Sequence, residues 1–482
     1  MKSNPLESLR AALVSRNREQ VNCAAGALIN ERAVLGRTWQ SIAAALIANG
    51  ECGLAISAAD RLVADLGGDY SSRYAAAYVR YQCGRATDAW AILTQAASFG
   101  GPSGRTEQLS YLNFRASLAL LIGEKAEARR SAQEALSIDP RSGQAWLSLS
   151  EVADFRGPDS AAAEQLESAY RAGASAPAES VMLRQAAGRA RHQLKAFVSA
   201  FEAFKAAADD QIRRIGSVPR RRDLVGISTG FTPELIGTVA DRIHVPHDRA
   251  IFVTGLPRSG TTLVEQILTS HSSVNNGEEL GFFRIIGEEI GGIDAASFVR
   301  WLERGNDPND LVRLYMHLAS ERFGPEGRFV DKTVEAGNYM GLLLALFPHA
   351  PKFWLRRDPA DNGWSAFRTM FAKGVTWSWD LGDIGHRLSQ EDRIAEYWTA
   401  ASGSISFVDY AGLVREPQRQ IPLIAGAAGL DLQPSMLSPH ETRRTVSSAS
   451  VNQVRQPINL EGLGVADPYR KWLGPMIEAY TG

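Results

Sequence analysis

Apolar positions along the chain follow two different patterns, and the change falls about half-way along it. Residues 1–210 are rich in alanine, with apolar residues at helical spacing and few alternating stretches. From residue 250 onward, short β-rich apolar runs alternate with helical stretches. Helical spacing predicts an all-α region, whereas strands that alternate with helices predict a parallel sheet covered on both faces. The sequence therefore predicts an all-α region followed by an α/β domain.

The second half contains four candidate strands and four candidate helices. The strands are predicted at Ile251–Thr254, Arg328–Asp331, Lys352–Arg357 and Ser404–Asp409. The helices are predicted at 262–270, 337–347, 360–373 and 388–402. Ligands of such sheets bind beyond the C-terminal ends of the strands, and the polar motifs described below follow those ends.

The alanine-rich half repeats itself with a period of about 34 residues. Small residues recur at fixed places of each copy, and the register resumes after an insertion near Gly101–Arg105. Alanine and glycine at those places let two antiparallel helices approach closely. The pattern resembles the tetratricopeptide repeat family, and an irregular helical bundle is the alternative. A solenoid of this kind implies a concave groove for a peptide or partner protein.

Domain boundaries follow from these patterns. We predict a helical repeat domain over residues 1–210 and a junction over 211–248, where glycine and proline interrupt regular structure. The α/β domain is predicted over 249–482. The junction also carries a basic cluster that includes Arg220–Arg222, interpreted as a solvated surface or as attraction for an acidic ligand.

One segment carries most of the chemical information: IFVTGLPRSGTTLVEQILTSH, residues 251–271. It reads as a strand, a tight loop and a helix N-terminus, where backbone N–H groups converge on an anion. The spacing of Gly255 and Gly260 is that of a P-loop, but Thr261 stands where a nucleotide hydrolase needs lysine. The loop's cation, Arg258, comes earlier. The loop therefore predicts a phosphate site that is wrongly built for Mg-ATP chemistry.

Composition narrows the classes of protein. The chain has 52 Lys and Arg residues against 53 Asp and Glu residues, so bulk charge does not favour nucleic acid or membrane partners. The N-terminus lacks an apolar signal sequence, and the longest apolar run is too short to span a bilayer. Three cysteines without CxxC spacing argue against a disulfide framework. We therefore expect a cytoplasmic protein with no membrane span.

Charged residues follow the first predicted helix and two of the other predicted strands. Glu278 and Glu279 come after the first helix, in a stretch of turn residues, and either could serve as a general base or as a helix N-terminal acid. Lys332 ends the second strand, where it could contact oxygen atoms that gain charge. Arg357 ends the third strand, and Ser365 follows eight residues later. An arginine with a serine hydroxyl is a plausible clamp for a second phosphate.

Two further residues have structural interpretations. Asp358 is expected to cap the helix after the third strand. Tyr410, which follows the last strand, is also expected to be structural.

These motifs together resemble those of sulfotransferases that use 3′-phosphoadenosine-5′-phosphosulfate (PAPS). The resemblance covers residues 231 to about 460 and includes PRSGTT, the following GEE, the strand-ending DK, RRDP with its later serine, and SASVNQVRQPIN. It is strongest to bacterial tetratricopeptide-repeat sulfotransferases and to tyrosylprotein sulfotransferases. It implies an all-α tetratricopeptide solenoid followed by a P-loop-like α/β domain with a central parallel sheet.

The resemblance assigns roles position by position. Glu279 would be the catalytic base, and Lys332 with Arg258 would stabilise charge on the departing nucleotide. The 5′-phosphosulfate loop would be Arg258, Ser259, Gly260, Thr261 and Thr262. Arg357 and Ser365 would bind the 3′-phosphate. The C-terminal segment would close over PAPS through Ser450, Gln453 and Arg455.

The expected reaction is in-line transfer of a sulfuryl group from PAPS to a hydroxyl, leaving adenosine 3′,5′-bisphosphate, with no metal. The acceptor is expected to be a peptide or protein, a protein tyrosine among them, a glycan or a small molecule. A protein partner in the repeat groove is possible, and nucleic acid is not expected. Two other classes stay open: a repeat scaffold with an inactive transferase domain, and a P-loop kinase.

Overall fold

The computed structural model describes residues 5–15, 17–216, 224–371, 375–442 and 454–482. The chain forms two compact units. One comprises residues 1–138 and 315–326, and the other comprises 139–314 and 327–482. The domain boundaries at 210 and 248 drawn from the sequence stay predictions. Within the described residues, no helix is long and apolar enough to cross a membrane.

The first unit is built from paired helices. Its helices are α1 (Pro5–Ser15), α2 (Arg18–Asn30), α3 (Thr38–Ala48), α4 (Cys52–Asp65), α5 (Tyr70–Gln82), α6 (Ala86–Ala96), α7 (Arg105–Ile122) and α8 (Lys125–Ile138). Repeat alanines such as Ala55, Ala77 and Ala89 are fully buried, so no large side chain separates neighbouring helices. Left-handed glycines such as Gly50 and Gly84 lie in the short loops between the two helices of a pair. The arrangement fits a tetratricopeptide-like solenoid.

The second unit begins with four further helices of the alanine-rich half: α9 (Gly143–Ser150), α10 (Ser160–Ala172), α11 (Ser180–Gln193) and α12 (Phe197–Ile215). Helix α12 carries Phe201 and Phe204, which share one apolar core with Trp364 and Phe367 of the α/β region. The ring of Phe201 stacks on that of Trp364 with centroids 6.1 Å apart. These helices are therefore part of the core that supports the α/β region.

The α/β region is organised around a five-stranded parallel sheet. Its strands are β1 (Ala250–Thr254), β2 (Val274–Glu278), β3 (Arg328–Asp331), β4 (Lys352–Arg356) and β5 (Ile405–Asp409), in the order β2-β3-β1-β4-β5. Residues of β1 pair with β3 at Phe252 and Asp331, and with β4 at Phe252 and Lys352. The central strands are buried on both faces, as their continuous apolar runs predict. The predicted fold class, all-α followed by α/β, is confirmed.

The remaining helices cover the sheet or connect its strands. They are α13 (Leu224–Thr229), α14 (Pro233–Ala240), α15 (Thr261–Thr269), α16 (Phe282–Ile290), α17 (Ala295–Glu303), α18 (Pro308–Phe323), α19 (Met340–Leu346), α20 (Pro359–Phe367), α21 (Leu381–Ala401), α22 (Tyr410–Arg415), α23 (Pro417–Ala427), α24 (Pro434–Leu437) and α25 (Gly474–Thr481). Short 3₁₀ turns occur at 177–179, 336–339, 376–379, 439–441 and 467–472.

Two sequence predictions of local structure were wrong, and the helix predicted over 388–402 begins earlier, at Leu381. The segment placed in a turn, around Asn276–Glu278, belongs to strand β2. Its sequence VNNGE lacks β-rich periodicity, and it becomes a strand because it pairs with β3 from Val274–Arg328 to Glu278–Asp331. The helix predicted over 360–373 ends at Phe367.

Candidate active site

The loop between β1 and α15 holds an unusual backbone. Gly255 and Gly260 have φ of 144° and 109°, and Arg258 adopts φ of 70° although it has a side chain. A Cβ added to Gly260 would lie 2.5 Å from Cδ2 of Tyr410. A left-handed conformation at a non-glycine residue costs about 1–3 kcal/mol and concentrates at functional sites. The loop is therefore shaped for close approach of a ligand to the backbone.

Hydroxyl groups line the same loop. Thr254 Oγ1 and Ser259 Oγ are buried and have no hydrogen-bond partner among the described residues. Thr261 and Thr262, in the first turn of α15, are also buried. An unpaired buried hydroxyl costs about 1–3 kcal/mol, so the hydroxyls of Thr254 and Ser259 fit a ligand that brings its own acceptor oxygens. The residues present therefore fit an anionic group at the N-terminus of α15.

Neighbouring elements hold the loop in place through its carbonyl groups. Asn362 Nδ2 donates to Pro257 O at 2.7 Å, and the backbone N–H of Glu335 donates to Gly255 O at 3.1 Å. The Arg357 guanidinium donates through Nη1 to Arg258 O at 2.6 Å. Because Arg357, directly after β4, and Asn362 of α20 supply two of these contacts, the loop's geometry depends on residues about 100 positions away in sequence.

The structure brings the two predicted catalytic residues Glu279 and Lys332 together. Lys332 Nζ donates to Glu279 Oε1 at 2.6 Å, and Glu265 Oε2 lies 3.9 Å from the same nitrogen. The Lys332 side chain is only 1% exposed, whereas that of Glu279 is 42% exposed. Glu278, the other candidate base, is buried at the end of β2. An accessible carboxylate therefore lies beside a buried ammonium, 53 residues away in sequence.

Arg357 occupies the opposite side of the loop. Its Nη2 donates to Gly462 O, and its guanidinium lies over the ring of Tyr410, 4.9 Å from the centroid. Burial lowers the pKa of Arg357. Ser365 is buried in α20, the helix that begins two residues after Arg357. The predicted capping role of Asp358 is confirmed, since its Oδ1 accepts the N–H of Asp361 at 2.9 Å.

The positive charge around the loop exceeds what the sequence analysis predicts. Burial, and then the charges of Arg368, Arg357 and Arg189, lower the pKa of Arg258 to about 9. These arginines lower the pKa of Arg258 because like charges disfavour one another at close range, so positive charge is concentrated around this loop. Such a concentration of positive charge favours a polyanionic ligand.

A cleft connects Arg258 with Arg357. Its empty volume is about 660 Å³, with the open solvent at its mouth included, and Gly260, Thr262 and Tyr410 line it together with residues of the segment 454–462. Of the three C-terminal residues predicted to bind the nucleotide, Ser450 and Gln453 lie outside the described residues. Arg455 is half-buried in a segment that borders the cleft, between the lining residues Val454 and Gln456.

Sequence reasoning missed several residues of this site. Tyr410 was expected to be structural, but its ring lines the cleft and contacts the Arg357 guanidinium. Asn362 and Glu265 are also involved, one as a support of the loop and the other near Lys332. Their positions on α20 and α15 carry no motif, so only the packing of these helices reveals them.

The α/β region matches a known family. Residues 250–434 match the sequence profile of the Sulfotransferase family. This segment is a sulfotransferase-family domain. The match covers both the loop at Arg258 and the residues Glu279, Lys332, Arg357 and Ser365.

Two curated proteins are similar to this chain over part of their length. An uncharacterised protein of Aquifex aeolicus (strain VF5) is 30% identical over 382 residues, which are 74% of this chain and 48% of that protein. Protein-tyrosine sulfotransferase 1 of Danio rerio is 24% identical over 242 residues, which are 46% of this chain and 65% of that protein. The chain thus spans about half to two thirds of the length of these relatives.

Solved structures of two sulfotransferases resemble parts of the chain. The sulfotransferase domain of the olefin synthase from Synechococcus PCC 7002 has a TM-score of 0.33 at 16% identity, over 50% of this chain and 96% of that one. A sulfotransferase from Mycobacterium tuberculosis H37Rv has a TM-score of 0.28 at 15% identity, over 65% and 96% of the two chains.

Proposed function

We propose that this protein transfers a sulfuryl group from PAPS to a hydroxyl acceptor. The observation that carries the proposal is the contact between Lys332 and Glu279 beside an anion-binding loop whose buried Ser259 hydroxyl lacks a partner among the described residues. The match of residues 250–434 to the Sulfotransferase family supports the same reaction class.

The residues of the loop and of β3 would manage the charge that develops. PAPS supplies an activated sulfuryl group joined to its 5′-phosphate. The loop N–H groups, Arg258 and the hydroxyls of Thr261 and Thr262 would bind the 5′ end. Lys332 would stabilise negative charge that grows on the leaving phosphate oxygen, an effect typically worth about 2.7–4 kcal/mol per donor. Positioning and electrostatics then carry most of the catalysis, as in phosphoryl transfer.

Glu279 would act on the acceptor. Its carboxylate is accessible, and one oxygen accepts from Lys332, which fixes its orientation. The other oxygen would take the proton as the acceptor oxygen bonds to sulfur and the sulfur–phosphate oxygen bond breaks. General-base catalysis of this kind contributes typically about 10²–10⁴-fold. Arg357 and Ser365 would hold the 3′-phosphate at the other end of the nucleotide.

The acceptor class is proposed to include protein tyrosine. Protein-tyrosine sulfotransferase 1 of Danio rerio is similar to this chain over 242 residues, and repeat helices of the first unit fit a peptide-binding solenoid. Glycans and small hydroxyl compounds are the alternative acceptors against which tyrosyl peptides are compared. A repeat scaffold with an inactive transferase domain remains the second candidate, favoured by the tetratricopeptide-like helices.

The test uses ³⁵S-labelled PAPS with tyrosyl peptides, glycans and small hydroxyl compounds as acceptors. We expect wild-type protein to label at least one class, and Glu279→Gln to lower turnover about 10²–10⁴-fold while it still binds adenosine 3′,5′-bisphosphate. Glu303→Gln, an exposed change on α17, is the matched control. Unchanged turnover in Glu279→Gln would refute its role as base.

A thermal-shift comparison separates the other classes. Stabilisation by adenosine 3′,5′-bisphosphate and not by ATP with Mg²⁺ is expected, because Thr261 replaces the lysine that a nucleotide hydrolase needs. Stabilisation by ATP with Mg²⁺ alone would favour a kinase. No binding of either nucleotide would favour the scaffold.

A further inference from the structure

The turn that follows strand β3 contacts both sides of the predicted site. It begins with Lys332 and ends at Glu335, three residues later. Thr333 Oγ1 accepts the backbone N–H of Gly281, just after the proposed base, at 3.1 Å. The backbone N–H of Glu335 donates to Gly255 O, in the anion-binding loop, at 3.1 Å. The position of this turn therefore determines where Lys332 lies relative to the loop and the base.

Glu335 has a left-handed backbone conformation although it carries a side chain. Its φ is 62°. Such a conformation costs about 1–3 kcal/mol and persists only where surrounding contacts hold it. Oε1 of Glu335 accepts from Trp377 Nε1 at 2.9 Å and from Arg387 Nε at 3.2 Å. These donors lie 42 and 52 residues away in sequence, in the 3₁₀ turn at 376–379 and on α21, so distant elements hold the turn after β3.

Arg387 is itself held inside the domain. Its side chain is 5% exposed, and its Nη1 lies 3.0 Å from Glu391 Oε2. Glu391 Oε1 accepts from Trp354 Nε1 of β4 at 2.9 Å. Trp354 pairs with Thr254 of β1, the strand that leads into the anion-binding loop. The contacts that start at Gly255 O and pass through Glu335 and Arg387 therefore return to the same loop.

The choice of residue at position 335 indicates a role for the carboxylate. A glycine would adopt a φ of 62° without the strain that a side chain brings. A buried ion pair also loses hydration, so replacing it by apolar residues is often neutral for stability. Fold stability alone therefore does not explain why a glutamate lies here on a buried arginine. All of these residues belong to one compact unit.

We propose that Glu335 and Arg387 are positioning residues for Lys332. They fix the turn after β3, so that the Lys332 ammonium meets the leaving phosphate oxygen bound in the loop. The inference rests on the proposed function, because it assigns that role to Lys332. Both residues act through Lys332, and a misplacement of about 1 Å in a catalytic group can cost about 10²-fold in rate. A displaced turn should therefore lower turnover more than it weakens nucleotide binding.

The test measures turnover with ³⁵S-PAPS, and binding of adenosine 3′,5′-bisphosphate by calorimetry, with the full chain. We expect Glu335→Ala and Arg387→Gln each to lower kcat about 10–10²-fold. The Kd for the bisphosphate should change less than about threefold. Glu335→Gln keeps an acceptor oxygen for Trp377 and Arg387, so it should restore most of the turnover. Glu303→Ala, an exposed change on α17, is the matched control.

A double-mutant cycle separates positioning from a purely structural role. In a Lys332→Met background, Glu335→Ala should lower turnover no further, because the group that it positions is already absent. A loss of equal size in both backgrounds refutes the inference. A rise in the bisphosphate Kd that accounts for the whole loss of turnover also refutes it.

The remaining outcomes distinguish the inference from the proposed function. A wild-type protein that neither binds the bisphosphate nor transfers the sulfuryl group refutes both. An active wild type with unchanged kcat in Glu335→Ala and Arg387→Gln refutes the inference alone. If these variants do not fold, Glu335→Gly decides, because glycine takes the observed φ without strain and still removes the carboxylate.

Discussion

Replacing Lys332 with methionine tests whether this buried residue acts in catalysis or only in stability. The ammonium lies 2.6 Å from Glu279 and 3.9 Å from Glu265, whose side chain is 2% exposed. Methionine keeps much of the side-chain volume and removes the charge. The change therefore leaves Glu265 as a buried acid without this cation, and it removes one donor from the predicted site.

The structure gives the size of each effect. At an effective dielectric constant of about 20, unit charges 3.9 Å apart interact by about 4 kcal/mol, which sets the scale of the lost stability. The pair with Glu279 adds little to stability, because that carboxylate is 42% exposed. Loss of a transition-state donor should lower turnover about 10²–10³-fold.

A second variant separates the two effects. The double variant Lys332→Met/Glu265→Gln has a neutral glutamine in place of the buried Glu265. We therefore expect its free energy of unfolding, measured with urea, to recover most of what Lys332→Met alone loses. Turnover with ³⁵S-PAPS should stay about 10²–10³-fold low in both variants. Recovery of turnover together with stability in the double variant would show that Lys332 is only structural.

Two further predictions follow. Gly260→Ala should abolish binding of adenosine 3′,5′-bisphosphate, measured by calorimetry, because the new Cβ would lie 2.5 Å from Tyr410 at a backbone φ of 109°. The control Gly426→Ala, on α23, meets open space and should leave this binding unchanged. Burial lowers the pKa of His192 in the folded protein to about 4, from an ordinary value of 6.5. Between pH 6.5 and 4 the unfolded state therefore binds more protons, and the free energy of unfolding should fall as the pH drops through this range. Urea unfolding should show a smaller fall in His192→Asn; equal falls would contradict this.

The local sequence determined the parts that depend on neighbouring residues. The strand, loop and helix around PRSGTT follow from an apolar run, two glycines and a helical pattern, and each occurs where predicted. The four predicted strands are present because their apolar residues suit a sheet buried on both faces. The 34-residue alanine period predicted paired helices, because small residues let two helices approach closely.

Long-range packing decided strand β2 and the side-chain contacts that join distant parts of the chain. Strand β2 exists because β3 supplies its hydrogen-bond partners, although its own residues lack a strand pattern. Glu279 meets Lys332 because parallel strands β2 and β3 end at the same edge of the sheet. His192 of α11 lies 3.2 Å from Arg368, at the end of α20, and its ring stacks on that of Tyr469.

The physical reason for this division is the range of the interactions. Periodicity and loop glycines act over a few residues, so the order of motifs and the anion-binding loop can be read directly from the chain. The contact between His192 and Arg368 joins residues 176 positions apart, which share no local pattern. Both helices contribute to one apolar core, and the burial of that core, a property of the tertiary structure, brings the two residues together.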